Sequence, residues 1–146
     1  MKKISILFTM ILTSLAVISC ATVKEIPQNK TAAQIIQYGQ NAVTDNNYKT
    51  ALYYYEEAIN RFGTNPSVYA EAKYEIGHVY IKQHKYENAY KTFKELISLY
   101  DYNAGILPAK HKKLAEIGIS QIPEKKLHEI EAKLAKEAAK NTSEAE

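Results

Sequence analysis

From residue 31 onward, apolar side chains recur every three or four positions, in stretches separated by short polar breaks. Ala51, Leu52, Tyr55, Ala58, Ile59 and Phe62 fall on one stripe of a helix over 48–62, and Ala72, Ile76, Val79 and Tyr80 do the same over about 66–83. No stretch alternates apolar and polar residues as a half-buried strand does, so the spacing predicts an all-α chain. The breaks carry the chemistry of helix ends. Thr31-Ala-Ala-Gln34 has the form of a capping box, Asp45-Asn46-Asn47 of a turn, and Gly63-Thr64-Asn65-Pro66 of a helix stop followed by a new N-cap. After His84-Lys85 a fourth helix is expected over about 86–100, then a loop over 101–107. Pro108 can open a fifth helix to about Gln121. Pro123 can open a sixth, with Leu127, Ile130, Leu134 and Ala138 at helical spacing and a frayed tail over 141–146.

The middle of this pattern is written twice. Gly39, Tyr48, Ala51, Tyr55 and Phe62 are answered 38 residues later by Gly77, Tyr86, Ala89, Phe93 and Tyr100. A period in this range implies helix pairs that cannot bury their apolar faces alone and become stable by stacking on a copy of themselves.

The first 30 residues follow other rules. Met1-Lys2-Lys3 and the apolar stretch from Ile4 to Ile18 read as an export signal, too short for a membrane span of about 20 residues. Val17-Ile18-Ser19-Cys20 resembles a lipobox, so that residues 1–19 are removed, Cys20 receives diacylglycerol and an N-acyl chain, and residues 20–30 form a lipidated tether. Ordinary cleavage after Ala21 fits the same small residues. Cys20 is the single cysteine of the chain, which favours the lipobox and leaves no disulfide framework. Removal of Lys2 and Lys3 lowers the basic count from 19 to 17 against 16 acidic residues, so the full chain's net charge of +3 is no nucleic-acid footprint. The 127 residues that remain suit one domain.

The stretch from Glu71 to Leu96 is similar, nearly position for position, to the tetratricopeptide repeat: Ile76-Gly77 and Tyr80 in its first helix, Ala89 and Phe93 in its second. Residues 32–65 match through Tyr38-Gly39, Tyr48, Ala51, Tyr55 and Ala58, with Ala42 where an aromatic is expected. The resemblance implies a helical-hairpin solenoid over 31–140, two repeats plus a degenerate third pair over 108–140 acting as a polar cap. A lipobox followed by lengthened, Tyr-rich repeats resembles the outer-membrane lipoproteins of the BamD and YbgF type. That likeness implies a lipid-anchored, periplasm-facing scaffold with a BamA-type barrel protein as partner. Other duties it leaves open are an envelope coordinator of the Tol-Pal kind and a binding module for exported peptides or cell-wall fragments. BamD proteins carry about five repeats, so this shorter chain matches only part of that architecture.

In such a solenoid the first helix of each repeat lines the concave face, which puts Ile36, Gln40, Tyr74, His78 and Lys112 toward a bound partner, Tyr74 foremost as an aromatic anchor. No Lys/Asn/Arg set for clamping a C-terminal carboxylate occurs. His78, His84, His111 and His128 are too dispersed for a metal motif and are expected at surfaces or turns. No phosphate loop, nucleophile elbow or dinucleotide fingerprint is present, so the expectation is a binding protein with neither enzyme activity nor cofactor beyond the lipid on Cys20.

Overall fold

The computed structural model describes residues 25–102 and 108–143, the side chains of 101 and 102 excepted. The expected signal peptide, Cys20 with the start of the tether, residues 103–107 of the expected loop, and residues 144–146 lie outside the described residues. Six helices follow in order: α1 Ala32–Thr44, α2 Tyr48–Phe62, α3 Pro66–Lys82, α4 Tyr86–Tyr102, α5 Ala109–Ser120 and α6 Glu124–Ser143. Among the described residues there is no strand.

The helix starts are fixed by side chains satisfying free backbone N–H groups. Thr31 Oγ1 accepts the Gln34 N–H at 3.3 Å while Gln34 Oε1 accepts the Thr31 N–H at 3.1 Å, a complete capping box. Asn47 Oδ1 accepts from the Thr50 N–H and Asn65 Oδ1 from the Ser67 N–H, with Pro66 in the first turn of α3.

The helices pair as α1 with α2 and α3 with α4, and each pair closes on a glycine. A Cβ at Gly39 would sit 2.4 Å from Tyr55 Cε1, and one at Gly77 would sit 2.4 Å from Phe93 Cε1, so the missing side chain is what lets each ring lie on the neighbouring backbone. The internal repeat extends to the turns. Asn46 and His84, 38 positions apart, both take the left-handed conformation, with φ of 56° and 57°. The following N–H returns to the first helix in both copies, Asn47 to the Ala42 carbonyl at 2.8 Å and Lys85 to the Tyr80 carbonyl at 2.9 Å. The tyrosine opening the second helix then reaches its turn residue, Tyr48 Oη donating to Asn46 Oδ1 at 3.0 Å and Tyr86 Oη lying 2.8 Å from His84 Nδ1.

Two cores result, and α3 is the wall between them. Its Ala72, Ile76 and Val79 join Ile35, Tyr55 and Ala58 in the first; its Ala70 joins Phe93, Leu96 and Ala115 in the second. The single stripe of Ala72, Ile76, Val79 and Tyr80 does not reveal this division; a helix buried on two sides needs small or apolar residues on both, and Ala70 supplies the second side.

Four expectations change. The end of the tether is docked: Ile26 is buried, and the Arg61 guanidinium donates to the Ile26 and Pro27 carbonyls, each at 3.0 Å. Helix α4 continues through Tyr102, two residues into the expected loop. Helix α6 continues to Ser143, into the expected frayed tail. The last two helices, finally, do not form a third close hairpin. Helix α5 packs on α3 and α4, its Gly118 lying against the face of Phe93, whereas α6 makes its backbone approach to α4 and none to α5 among the described residues. The reason is compositional: with Gly118 spent on Phe93, α6 offers only Ile130 as a buried side chain. Polar contacts hold it instead, Lys133 Nζ to Glu87 at 2.8 Å and Tyr90 Oη to Glu131 at 3.2 Å.

Candidate functional site

Helix α3 packs against both α1 and α5, and one stripe of it carries Ser67, Glu71, Tyr74, Glu75, His78 and Lys82, of which Tyr74 also packs against the second core. Four of these, Glu71, Tyr74, Glu75 and His78, are half-buried and contiguous. They form the candidate site.

Its geometry begins with two rings. Tyr74 and His78, one turn apart, stack nearly parallel, centroids 6.1 Å apart and planes 5° off, and Tyr74 leans on Phe93 from the other side. Burial, aided by the Glu75 charge, pushes the Tyr74 phenol up, so it stays a neutral donor. Burial also pushes His78 below the ordinary 6.5, with Lys82 adding to the effect and Glu75 opposing it. At neutral pH the stack is therefore uncharged.

Beside the rings, Gln40 of α1 donates from Nε2 to Glu75 Oε1 at 3.0 Å, bridging α1 and α3. Glu71, one turn earlier, forms neither a hydrogen bond nor an ion pair with a described residue. One buried polar atom nearby in the fold, His111 Nδ1, has no hydrogen-bond partner. Tyr55 is wholly buried; its phenol is held protonated by burial first, then by the charge and the hydrogen-bonding carboxylate of Glu75, and last by the charge of Glu71. His111 is 3% exposed, and burial with Lys110 pushes it below 6.5 against the pull of Glu71.

The structure thus brings together Gln40, Tyr74 and His78. Ile36 is a correction: at 3% exposure it belongs to the first core, because at its place the first hairpin closes over an aliphatic side chain where the second has Tyr74. Lys112 is half-buried on α5, near the Tyr100 hydroxyl, which donates to the Pro108 carbonyl at 2.8 Å. The expected surface histidines divide likewise. His128 is exposed and His84 occupies a turn, while His111 is buried. Sequence reasoning passed over Glu71, Glu75 and His111. The i, i+4, i+7 spacing of Glu71, Glu75 and His78 was the available signal, since it puts all three beside Tyr74 on one stripe. Among the described residues no group of three or more His, Cys, Asp or Glu could hold a metal ion, and no helix is long and apolar enough to cross a membrane.

With this geometry in view, comparison with known proteins adds one relative. An uncharacterized protein of Treponema pallidum (strain Nichols) is 28% identical over 100 residues, 68% of this chain. The match covers 40% of that protein, so the chain spans well under half of its relative's length. No family model and no solved structure matches.

Proposed function

We propose that this chain is a non-catalytic scaffold of the tetratricopeptide type, anchored through a lipid on Cys20 and facing the periplasm, whose inner face holds a protein partner during outer-membrane protein assembly. The observation that carries the binding role is the half-buried row of Tyr74, His78, Gln40 and Glu75 on α1 and α3. Aromatic residues partly desolvated before binding lose little freedom when covered, which is why they anchor interfaces. The recurrence of the glycine-to-ring contacts and left-handed turns in both hairpins supports the repeat reading. The lipid anchor rests on the sequence around Cys20, and the BAM-type assignment on the resemblance of that signal and these repeats together.

The test is chemical crosslinking in native envelopes followed by capture of the full chain, beside a Cys20→Ser variant. Recovery of a BamA-type barrel protein, together with loss of membrane association in the variant, supports the proposal. Repeated capture with no such barrel among the partners removes the assembly role, and unchanged membrane association of Cys20→Ser removes the anchor.

A further inference from the structure

The residues just before α1 decide how freely the domain can turn about its point of attachment. Ile26 is 2% exposed and belongs to the first core. Its carbonyl accepts a hydrogen bond from Arg61 Nη2 and the Pro27 carbonyl one from Nη1, each at 3.0 Å, while Arg61 Nε pairs with Glu57. All three nitrogens of the guanidinium are engaged, in charge-assisted bonds of the stronger kind. The Lys30 N–H returns to the Pro27 carbonyl at 3.3 Å, just before the Thr31 cap. Residues 26–31 therefore belong to the folded body.

Topology sets the place of this clamp in the helix stack. Three-residue connections over 45–47, 63–65 and 83–85 make successive helices antiparallel. The start of α1, Arg61 in the last turn of α2 and the 63–65 turn thus share one end of the stack, and the turns at Asn46 and His84 share the other. Helix α2, with 15 residues, separates the two ends by about 22 Å.

We infer that the clamp presents one end of the stack, that of Ile26, Pro27, Arg61 and the 63–65 turn, to the lipid headgroup surface. The inference rests on the proposed anchor at Cys20. Ile26 follows Cys20 by six residues, a span of at most about 20 Å when fully extended. Without the clamp the first fixed point is Thr31, eleven residues on, with a reach of about 40 Å. That difference decides orientation. An inverted stack, with the Asn46 and His84 turns on the membrane, would lift the clamp about 22 Å and hold the six-residue tether at its limit, against its conformational entropy. A reach of about 40 Å would permit every orientation. With the clamp end down, Tyr74, eight residues into α3, is held within about 30 Å of the headgroups, where the membrane-proximal part of a partner can meet it.

The chain contains no tryptophan, so a single one reports its own height. The lipidated full chain, carrying Thr64→Trp at the clamp end or Asp45→Trp at the other, is reconstituted in phosphatidylethanolamine and phosphatidylglycerol vesicles with a dansyl-labelled headgroup lipid, and energy transfer is measured. Transfer should be at least roughly twofold stronger from position 64 than from position 45, given a height difference of about 20 Å. Twelve Gly/Ser residues inserted after Lys24 lengthen the reach by about 40 Å without touching the fold, and should bring the two positions level. Arg61→Ala, with release of residues 26–30 confirmed by amide exchange, should narrow the difference too. Equal transfer from both positions with the native tether overturns the inference, as does a preference that survives the longer tether or the released segment. Flotation separates this result from the anchor itself. If the native chain floats with vesicles and Cys20→Ser does not, yet the two positions transfer equally, the anchor stands and the clamped orientation falls. If Cys20→Ser floats as well as the native chain, the anchor falls and the inference with it.

Discussion

Replacing Gly77 with alanine should destabilise the fold, although alanine is the better helix former. On propensity alone the change would add about 1 kcal/mol of stability. The new Cβ, however, would lie 2.4 Å from Phe93 Cε1 and 2.8 Å from its Cδ1 and Cζ. The ring has little room to retreat, because Gly118 of α5 also lies against it, and a Cβ added there would be 2.5 Å from Cε2 and Cζ. Phe93 is therefore clamped between α3 and α5, and relief requires moving a whole helix. Overpacking of this kind costs about 1–3 kcal/mol, and at a position clamped from both sides we expect the upper part of that range, for a net loss of about 1–2 kcal/mol after the propensity gain. The assay is urea denaturation of Gly77→Ala, Phe93→Leu and the double variant. Leucine removes Cε1 and Cζ, so in its background Gly77→Ala should cost under about 0.5 kcal/mol or turn favourable, giving a coupling of at least about 1 kcal/mol. A neutral or stabilising Gly77→Ala in the native background, or additive effects in the cycle, would refute the clamp.

Three further outcomes follow from particular contacts. Arg61→Ala should release the segment around Ile26 and Pro27, costing about 1–2 kcal/mol and raising amide exchange over residues 26–30, and unchanged exchange there would show that the guanidinium does not hold the segment. Glu87 is lowered to about 2 by hydrogen bonds from Lys133 and then Lys91, so the docking of α6 that it supports is fully present above 4.5 and lost as pH falls through about 2; a carboxyl NMR titration with its midpoint near 4.5 would contradict this. Burial keeps His111 and His78 below 6.5 in the folded chain, so the unfolded chain takes up protons first, and stability is complete above about pH 6.5 and falls as the pH drops toward the folded values. His111→Gln/His78→Gln should flatten that slope, and an unchanged slope would place the effect elsewhere.

Local chemistry made much of the fold legible before any coordinates. Capping at Thr31, the Asn65-Pro66 start of α3 and the small residues Gly39, Gly77 and Ala89 each state their role within a few positions, and α2 has the bounds its apolar stripe predicts. What could not be read depended on contacts distant in sequence. Ile26 looks like part of a tether until Arg61, 35 residues on, is seen to donate to its carbonyl. The degenerate third pair shows a similar dependence: Ile117-Gly118 has the right form, but Gly118 lies against Phe93 of the preceding hairpin. In the candidate site, Tyr74 and His78 came from the family geometry, and the structure stacks their rings. Ile36 was misplaced by the same geometry, because an aliphatic residue at the Tyr74 position turns the same register place into core. His111 gave no local sign of burial, since that comes from the packing of α5 on α3.

The central claim, that the stripe of α3 carrying Tyr74 and His78 is where a partner protein binds, is tested most directly by placing a photo-crosslinking amino acid at position 74 and, in a separate variant, at exposed Lys94 on α4, both in native envelopes. A discrete protein adduct from position 74, reduced by Gln40→Ala or His78→Ala, is expected, with little or none from position 94. Adducts of equal yield from both positions, or from position 94 alone, would contradict it.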